Sequence, residues 1–471
     1  MMSTLVYREV LRPRWSPQYR ALPITEPRDF WLGILSGGQR VGYINARVTP
    51  KANEGRRGTQ FRLNASLQVP LFGKTADLSV QGEGFRAAVG QDAEFDVTLR
   101  SADQEFRAEG TLTGGKLDAR LHVGDTVTPF QYDLGDQLLV SAGASGLDLP
   151  PLKPGEEIYM DAFNPVSMRV EQARISCEKQ ETIEVMGAPV LTNVLETQLG
   201  AIKTRAWVSQ EQEAVRVETP FGFTLEKIDP KDAIARITAG ESADFVKNLA
   251  VIPTGVPPKR DAARLQIRFA GVPEELMPPG SDVQVRVGDT YTIAQPAAPS
   301  ASDTAPLPEA EREAALASDV LVDAKLPAIV EAAASITAGA TDPWEKATRI
   351  NGWLFEHLEK ISVLSVPAAA EVLRSRQGDC NEHTVLFVAL ARAAGVPAQI
   401  AIGLVYSEEI GGFGYHAWPE VHVGRWIPMD PTFGQTLADA THIKLLNGGI
   451  MEWSRLIGYI GQAKIEVLGI E

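Results

Sequence analysis

The chain has 471 residues, 44% hydrophobic and 22% charged: a globular balance, and more chain than one ordinary core takes up, so two or three domains are expected. Lys and Arg number 45 against 60 Asp and Glu, a net charge of −15 that repels phosphate backbones and anionic lipid surfaces and argues against a nucleic-acid partner. Two cysteines exclude a disulfide framework, and no apolar run approaches the ~18 residues of a membrane span.

The N-terminal "MMSTLVYREVLRPRW" interrupts its apolar stretch with Arg8 and Glu9 and holds no signal-peptide core, so residues 1–28 read as an extension. From about Phe30 to Ile228 apolar and polar residues alternate: Leu63, Ala65, Leu67 and Val69; Phe95, Val97 and Leu99; Leu117, Ala119, Leu121 and Val123. Period two marks half-buried strands, and turns such as "TGGK" at 113–116 fall at hairpin distances. The expectation is a mostly antiparallel β domain over 29–235, its last part "RAWVSQEQEAVRVETPFGFTLEKI" (205–228) giving two strands around a polar turn. It reads as a scaffold or spacer, or as a curved sheet for an apolar ligand or peptide; no polar constellation marks a site.

Residues 240–293 carry shorter alternating runs, "RLQIRFAG" and "DVQVRVGDTYTI", which form a small β module or extend the next domain. "AQPAAPSASDTAPLPEAE" (294–311) lacks periodicity and reads as a mobile linker or long loop. Module and linker together span 236–311, and 312–471 forms the last domain. There the period becomes helical: "LPAIVEAAASITAG" (326–339) and "DPWEKATRINGWLFEHLEK" (342–360) fit amphipathic helices, the second with Asp342 as N-cap and Pro343 at its first position.

In "RQGDCNEHTVLFVALARAAGVPA" (376–398), Val385, Leu386, Val388, Ala389, Leu390, Ala393 and Ala394 make an apolar helical face that Gly395 and Pro397 end. Asp379 as N-cap sets Cys380 in the first turn, where unpaired N–H groups and the helix dipole favour a thiolate of lowered pKa. The alternative is a cysteine packed as a small hydrophobe, which is the reading for Cys177. A nucleophilic thiol needs a base and a group that orients it. In "GYHAWPEVHVGRWIPMDPTFGQ" (414–435), His416 opens an alternating run and Gly424 and Arg425 suit a turn; in a hairpin, Asp430 returns close to His416.

The segments "GDCNEHTVLFVALARAAGVPA", "YHAWPEVHV" and "WIPMDPTFGQ", with cysteine, histidine and aspartate 36 and 14 residues apart, resemble the transglutaminase-like superfamily. "DPWEKATRINGWLFEHL" resembles the helix preceding the cysteine in bacterial members, so the resemblance covers roughly 341–447. It implies an α+β chain, a papain-like transglutaminase core at the C-terminus behind the antiparallel β domain. Cys380 is then the nucleophile, His416 the general base and then acid, and Asp430 the residue that orients and stabilises the imidazolium.

The implied chemistry is attack on an amide carbonyl to give a thioester acyl-enzyme released by water or an amine, with hydrolysis favoured: a cysteine peptidase or protein-glutamine acyltransferase acting on a protein or peptide. No cofactor and no metal are indicated. The same analogy implies an exported protein, periplasmic or anchored by a segment upstream of this chain; the alternative is a cytosolic protein with its natural start at Met1.

The backbone N–H of Cys380 is the natural oxyanion donor. Trp353, comparable with a tryptophan of animal transglutaminases, reads better as a packing residue. Trp418 walls the cleft or packs, Pro419 points to an edge or bulge in its strand, and "GGFG" (411–414) is a hinge or an ordinary turn. The rival reading is a non-catalytic binding or scaffold protein that retains the fold. A zinc site of Cys380, His383 and His416 with Asp430 or His422 lacks closely paired ligands, so His383 and His422 read as structural. His122, His357 and His442 carry no motif.

Overall fold

A computed structural model of the protein describes residues 26–471 except 54–55, 72–73, 89–91, 102–103, 124–125, 134–151, 165–168, 201, 220–221, 236–248, 301–302, 304, 320, 362–367 and 449–453. The N-terminal extension lies outside the described residues but for its last three. Two compact units result, residues 1–69 with 77–243, and residues 244–471 with the short segment 70–76.

In the first unit the alternating runs pair into one sheet of fourteen strands. Eight run as successive neighbours from Arg28–Ser36 out to Thr126–Asp133, and six from Phe223–Lys227 back to Glu157–Asn164. Arg28–Ser36 pairs antiparallel with Phe223–Lys227 and joins the two series. The stretch 205–228 contributes three strands, Ile202–Ser209, Ala214–Glu218 and Phe223–Lys227, instead of two. The additional one is held by its pairing with Arg28–Ser36, a partner far away in sequence. Leu32, Ile34, Val41, Val217 and Leu225 form one core cluster; Ile175, Cys177, Leu195 and Val208 belong to another, where burial pushes the Cys177 thiol up.

The second unit contains a five-stranded sheet in the order Thr254–Gly255, Lys464–Ile470, Arg264–Ala270, Thr290–Ala294, Gln284–Val287. The runs between 254 and 294 are thus no free-standing module: they pair with the last strand of the chain, and Leu265, Ile267 and Phe269 are fully buried. The aperiodic stretch after Ala294 has no strand or helix among its described residues before Glu309 and is anchored at Gln295, Ala297 and Asp303. Gln295 N–H donates to Ala263 O at 2.8 Å, and Arg425 donates to Ala297 O at 2.7 Å and meets Asp303 at 3.4 Å.

Helices α1 (Glu309–Leu316), α2 (Pro327–Ile336), α3 (Pro343–His357), α4 (Ala369–Ser375) and α5 (Cys380–Ala393) follow. In α3 the Asp342 carboxylate accepts from Glu345 N–H at 2.9 Å, Pro343 stands at the first position, and Ala347, Ile350 and Leu354 bury one face. Helix α5 is buried from Glu382 to Ala391, with α2, α3 and α4 packed on it. No helix among the described residues is long and apolar enough to cross a membrane.

Against α5 lies a second sheet of β1 (Ala398–Ser407), β2 (Gly412–His422), β3 (Trp426–Pro428) and β4 (Ile443–Asn447), in the order β3-β2-β1-β4. In β1, Gly403 stands opposite His416 of β2, and a Cβ there would lie 2.0 Å from Ile443 O and 2.8 Å from the Trp418 ring. Its lack of a side chain lets β4 approach and the tryptophan lie flat beneath it.

Gly403→Ala should therefore cost stability at the upper end of the about 1–3 kcal/mol typical of overpacking, since the obstruction is backbone. Gly469→Ala, whose Cβ meets nothing within 4 Å, is the control. Urea unfolding followed by tryptophan fluorescence should lower the midpoint for Gly403→Ala only; equal midpoints would contradict the close approach.

Candidate active site

The site begins at the N-terminus of α5. Asp379 accepts from Asn381 N–H at 2.9 Å, and Glu382 Oε2 folds back to accept from Asp379 N–H at 2.8 Å, a reciprocal cap that satisfies two otherwise unpaired donors. Only glycine fits at 378, where a Cβ would lie 2.2 Å from that of Glu382. Cys380 is the first helical residue, half-buried, with its sulfur accepting from the N–H of Ala417. Thr384 Oγ1 donates to the carbonyl of the same Ala417 at 3.0 Å. Two residues of α5 thus tie it to β2 immediately after His416.

The electrostatics differ from the expectation of a lowered thiol pKa. Burial, with the carboxylates of Asp379 and Glu382 close by, pushes the Cys380 thiol well above its ordinary value, and the Ala417 N–H offsets only part of this. The residues that cap the helix reverse the benefit of its dipole.

His416 projects from β2, with Nε2–H donating to Asp430 Oδ2 at 2.8 Å. Its ring stacks on Phe433 at 5.0 Å and on Trp418 at 6.1 Å. Burial lowers the His416 pKa despite Asp430, so the ring is neutral near pH 7 and proton exchange falls to Nδ1. Asp430 follows β3, which pairs with β2 as a hairpin, and its backbone bridges to Gln435. Its Oδ1 accepts from Thr432 N–H at 2.7 Å and Phe433 N–H at 3.1 Å. Burial alone would raise this carboxyl, but the imidazoles beside it hold it well below the usual carboxylate range.

The second of those imidazoles is His442, for which the sequence offered no motif. Its Nε2–H donates to the same Asp430 Oδ2 at 3.0 Å, and Nδ1 lies 3.0 Å from Asp439 O and 3.2 Å from Asp439 Oδ1. Burial opposes its charge, yet the two carboxylates win and raise its pKa. Asp439 in turn meets Arg260 at 3.2 Å and accepts from Gln435 at 2.9 Å. Arg260 also lies 4.3 Å over the Phe433 ring. A buried chain of alternating charge, Arg260, Asp439, His442 and Asp430, ends on His416. Its only sequence trace is the Asp439–His442 spacing ahead of an apolar strand, which is too common a pattern to single out.

His416, Asp430 and His442 bring one donor atom each within 4.8 Å, a grouping that can also hold a metal. The contacts, however, are direct imidazole-to-carboxylate hydrogen bonds, so the nitrogens facing Asp430 carry protons and are not open ligands. The zinc set weighed from the sequence is not gathered. His383 donates through Nδ1 to Asp379 O at 2.7 Å, and His422 packs edge-on against Trp426 at 5.3 Å.

Trp353 packs between His357 and the Arg376 guanidinium, and Trp418 is fully buried. In "GGFG" only Gly411 belongs to a turn; Gly412 to Gly414 lie in β2, and Phe413 bridges to Val251, so no hinge loop forms there. Among the described residues the β2–β3 ladder runs from Glu420 onward; at Pro419, which has no N–H to give, the carbonyl still accepts from Met429 N–H at 2.9 Å, and before it Ala417 is bonded by Thr384 of α5.

Residues 330–431 match the Transglutaminase-like superfamily. No curated protein matches the sequence. Three solved structures align at low identity. One is a protein provisionally described as a cysteine protease from Cytophaga hutchinsonii, 15% identical, with 45% of this chain and 85% of that one covered and a TM-score of 0.29. Another is a β-barrel-like protein of a domain of unknown function from Brucella abortus, 12% identical, covering 43% and 94% at 0.29. The third, provisionally described as a protease, comes from Parabacteroides distasonis and is 12% identical, covering 71% and 68% at 0.20. Superpositions this loose bear on neither fold nor function.

Removing His442 takes one donor from each of two buried carboxylates, Asp439 and Asp430, which keep Arg260 and His416 respectively, so His442→Ala should destabilise the protein by about 1–3 kcal/mol. A raised pKa means that this contribution is complete below the unfolded value of about 6.5 and fades as pH rises through the folded one. Urea unfolding should therefore show a larger deficit at pH 6 than at pH 9. An equal deficit at both would deny His442 its charge.

Proposed function

Since the chain carries a transglutaminase-like domain at its C-terminus, we propose that this domain is a cysteine-dependent enzyme that opens amide bonds of a protein or peptide through a thioester on Cys380, with water as the favoured acceptor. One observation carries the reading: Asp430 engages Nε2 of His416, which leaves Nδ1 for a proton from Cys380, whose sulfur bonds to the next residue along β2.

In this mechanism the Cys380 sulfur attacks the carbonyl carbon while His416 Nδ1 takes the thiol proton. The carbonyl oxygen becomes an oxyanion held by the unpaired N–H of Cys380 at the start of α5. Asp430 stabilises the imidazolium. His416 then gives its proton to the leaving nitrogen, the C–N bond breaks and the thioester remains. Water, or an amine, attacks that thioester as His416 takes its proton, and collapse frees the acid or new amide with return of the proton to sulfur. Because the thiol is held up and the imidazole down, both start neutral, so proton transfer accompanies attack instead of preceding it as an ion pair. The raised thiol pKa is also what a non-catalytic binding protein of this fold would tolerate, and that is the second reading.

Cys380→Ala should abolish turnover, tested first as peptide release from a denatured protein substrate, while a binding role would survive it. Asp430→Asn should cost about 10²–10⁴-fold. Iodoacetamide labelling of Cys380, read by peptide mass spectrometry, should rise with pH through a midpoint above the ~8.5 of an ordinary thiol. His416→Ala should slow labelling at pH 7. A rate indifferent to residue 416 would remove His416 as the base.

A further inference from the structure

Lys360 stands at the entrance to the nucleophile. Glu359–Lys360 pairs in parallel with Gln377–Gly378, which sets Lys360 opposite Gly378, two residues before Cys380. The pairing is secured by Glu359 N–H to Arg376 O at 2.8 Å and Ile361 N–H to Gly378 O at 3.2 Å. Strand alternation sends Glu359 one way, to Gln377 at 2.9 Å, and Lys360 the other. The Lys360 ammonium lies 4.3 Å from the centre of the Phe355 ring.

From Phe355 the surface leads directly back to the base. The Phe355 ring lies against Gly434, where a Cβ would come within 2.9 Å of it. The adjoining Phe433 stacks on His416. Both phenylalanines are large apolar side chains left open to solvent, at 43% and 42% exposure. Lys360 thus meets Phe355, which lies against Gly434 next to the Phe433 that stacks on His416, while its backbone pairs two residues before Cys380.

The cations of this region are not equivalent. Arg260 is committed to Asp439 and Thr441, and Arg376 lies over Trp353. Lys360 has no carboxylate partner among the described residues. In a chain of net charge −15, an ammonium with no carboxylate partner among the described residues, set over the exposed Phe355 ring, is the arrangement that a carboxylate on an apolar stem complements. A phosphate, carrying more charge and more acceptors, would call for additional donors.

We propose that Lys360, with Phe355 and Phe433, forms a recognition subsite for a carboxylate carried by the acyl donor close to its reacting amide, so that the preferred substrate is an acidic peptide. This rests on the cysteine-enzyme reading above. Lys360 positions and selects the substrate and takes no part in proton transfer.

Two alkylating agents that differ only in charge test it on the intact chain. Iodoacetate carries a carboxylate and iodoacetamide is its neutral counterpart; the ratio of their rates at Cys380 is compared with that at Cys177 in the urea-unfolded chain. At low salt the Cys380 ratio should exceed the reference by on the order of 10-fold, shrink as salt screens the attraction, fall to the reference in Lys360→Gln and return in Lys360→Arg. Labelling by iodoacetamide with a ratio no higher than the reference, or a raised ratio that Lys360→Gln leaves in place, overturns the subsite alone. Failure of Cys380 to react with either reagent overturns the enzymatic reading and the subsite with it.

Discussion

Asp430 Oδ2 accepts hydrogen bonds from two imidazoles while the other oxygen of the same carboxylate is held by backbone N–H groups of the following turn. A fully buried carboxylate is expensive unless every lone pair is engaged, and this condition dictates much of its surroundings. The turn after β3 has to close on Asp430, β4 has to bring His442 to it, and β2 has to present His416 from the opposite side. Once those demands are met, the tautomer of His416 follows, because the nitrogen facing Asp430 keeps its proton.

The start of α5 is a compromise between stability and reactivity. Glu382 and Asp379 satisfy backbone donors and fix the helix where Cys380 needs it, yet their negative charge and the burial around the sulfur disfavour the thiolate. The result is a thiol held neutral at the helix start, with the neutral His416 ring on the strand packed against that helix. Since the thiolate is the reactive form, a thiol held neutral in this way becomes more reactive as pH rises. Lys360, whose backbone pairs with Gly378 just ahead of this acidic helix start, adds a charge of opposite sign.

Much of the architecture was legible in local pattern. Period-two runs over Leu63–Val69, Phe95–Leu99 and Leu117–Val123 all lie within strands, and Asp342 and Asp379 cap the helices they precede. Errors arose where a partner was remote. Phe223–Lys227 is a strand because Arg28–Ser36 pairs with it; of the two readings left open for residues 254–294, the return of Lys464–Ile470 to them fits an extension of the following domain. The electrostatic reading failed for a related reason: a helix N-terminus lowers a thiol pKa only when the groups around it do not outweigh the dipole, and Glu382, one turn along, reaches back.

The sequence by itself determined the elements and the order of the chemistry: a cysteine at a capped helix start, then a histidine on a strand, then an aspartate after a hairpin, with spacing enough to resemble a known superfamily. Those features are local, set by periodicity, caps and turns that each residue carries with its neighbours. Only the tertiary structure decided that His442, Asp439 and Arg260 extend the line behind His416, that the thiol is raised, and that Lys360 stands beside the nucleophile with Phe355 and Phe433. These depend on burial and on charges that folding brings together, from the distant Arg260 and Asp439 to the nearer Asp430 and His442, and a one-dimensional pattern records neither.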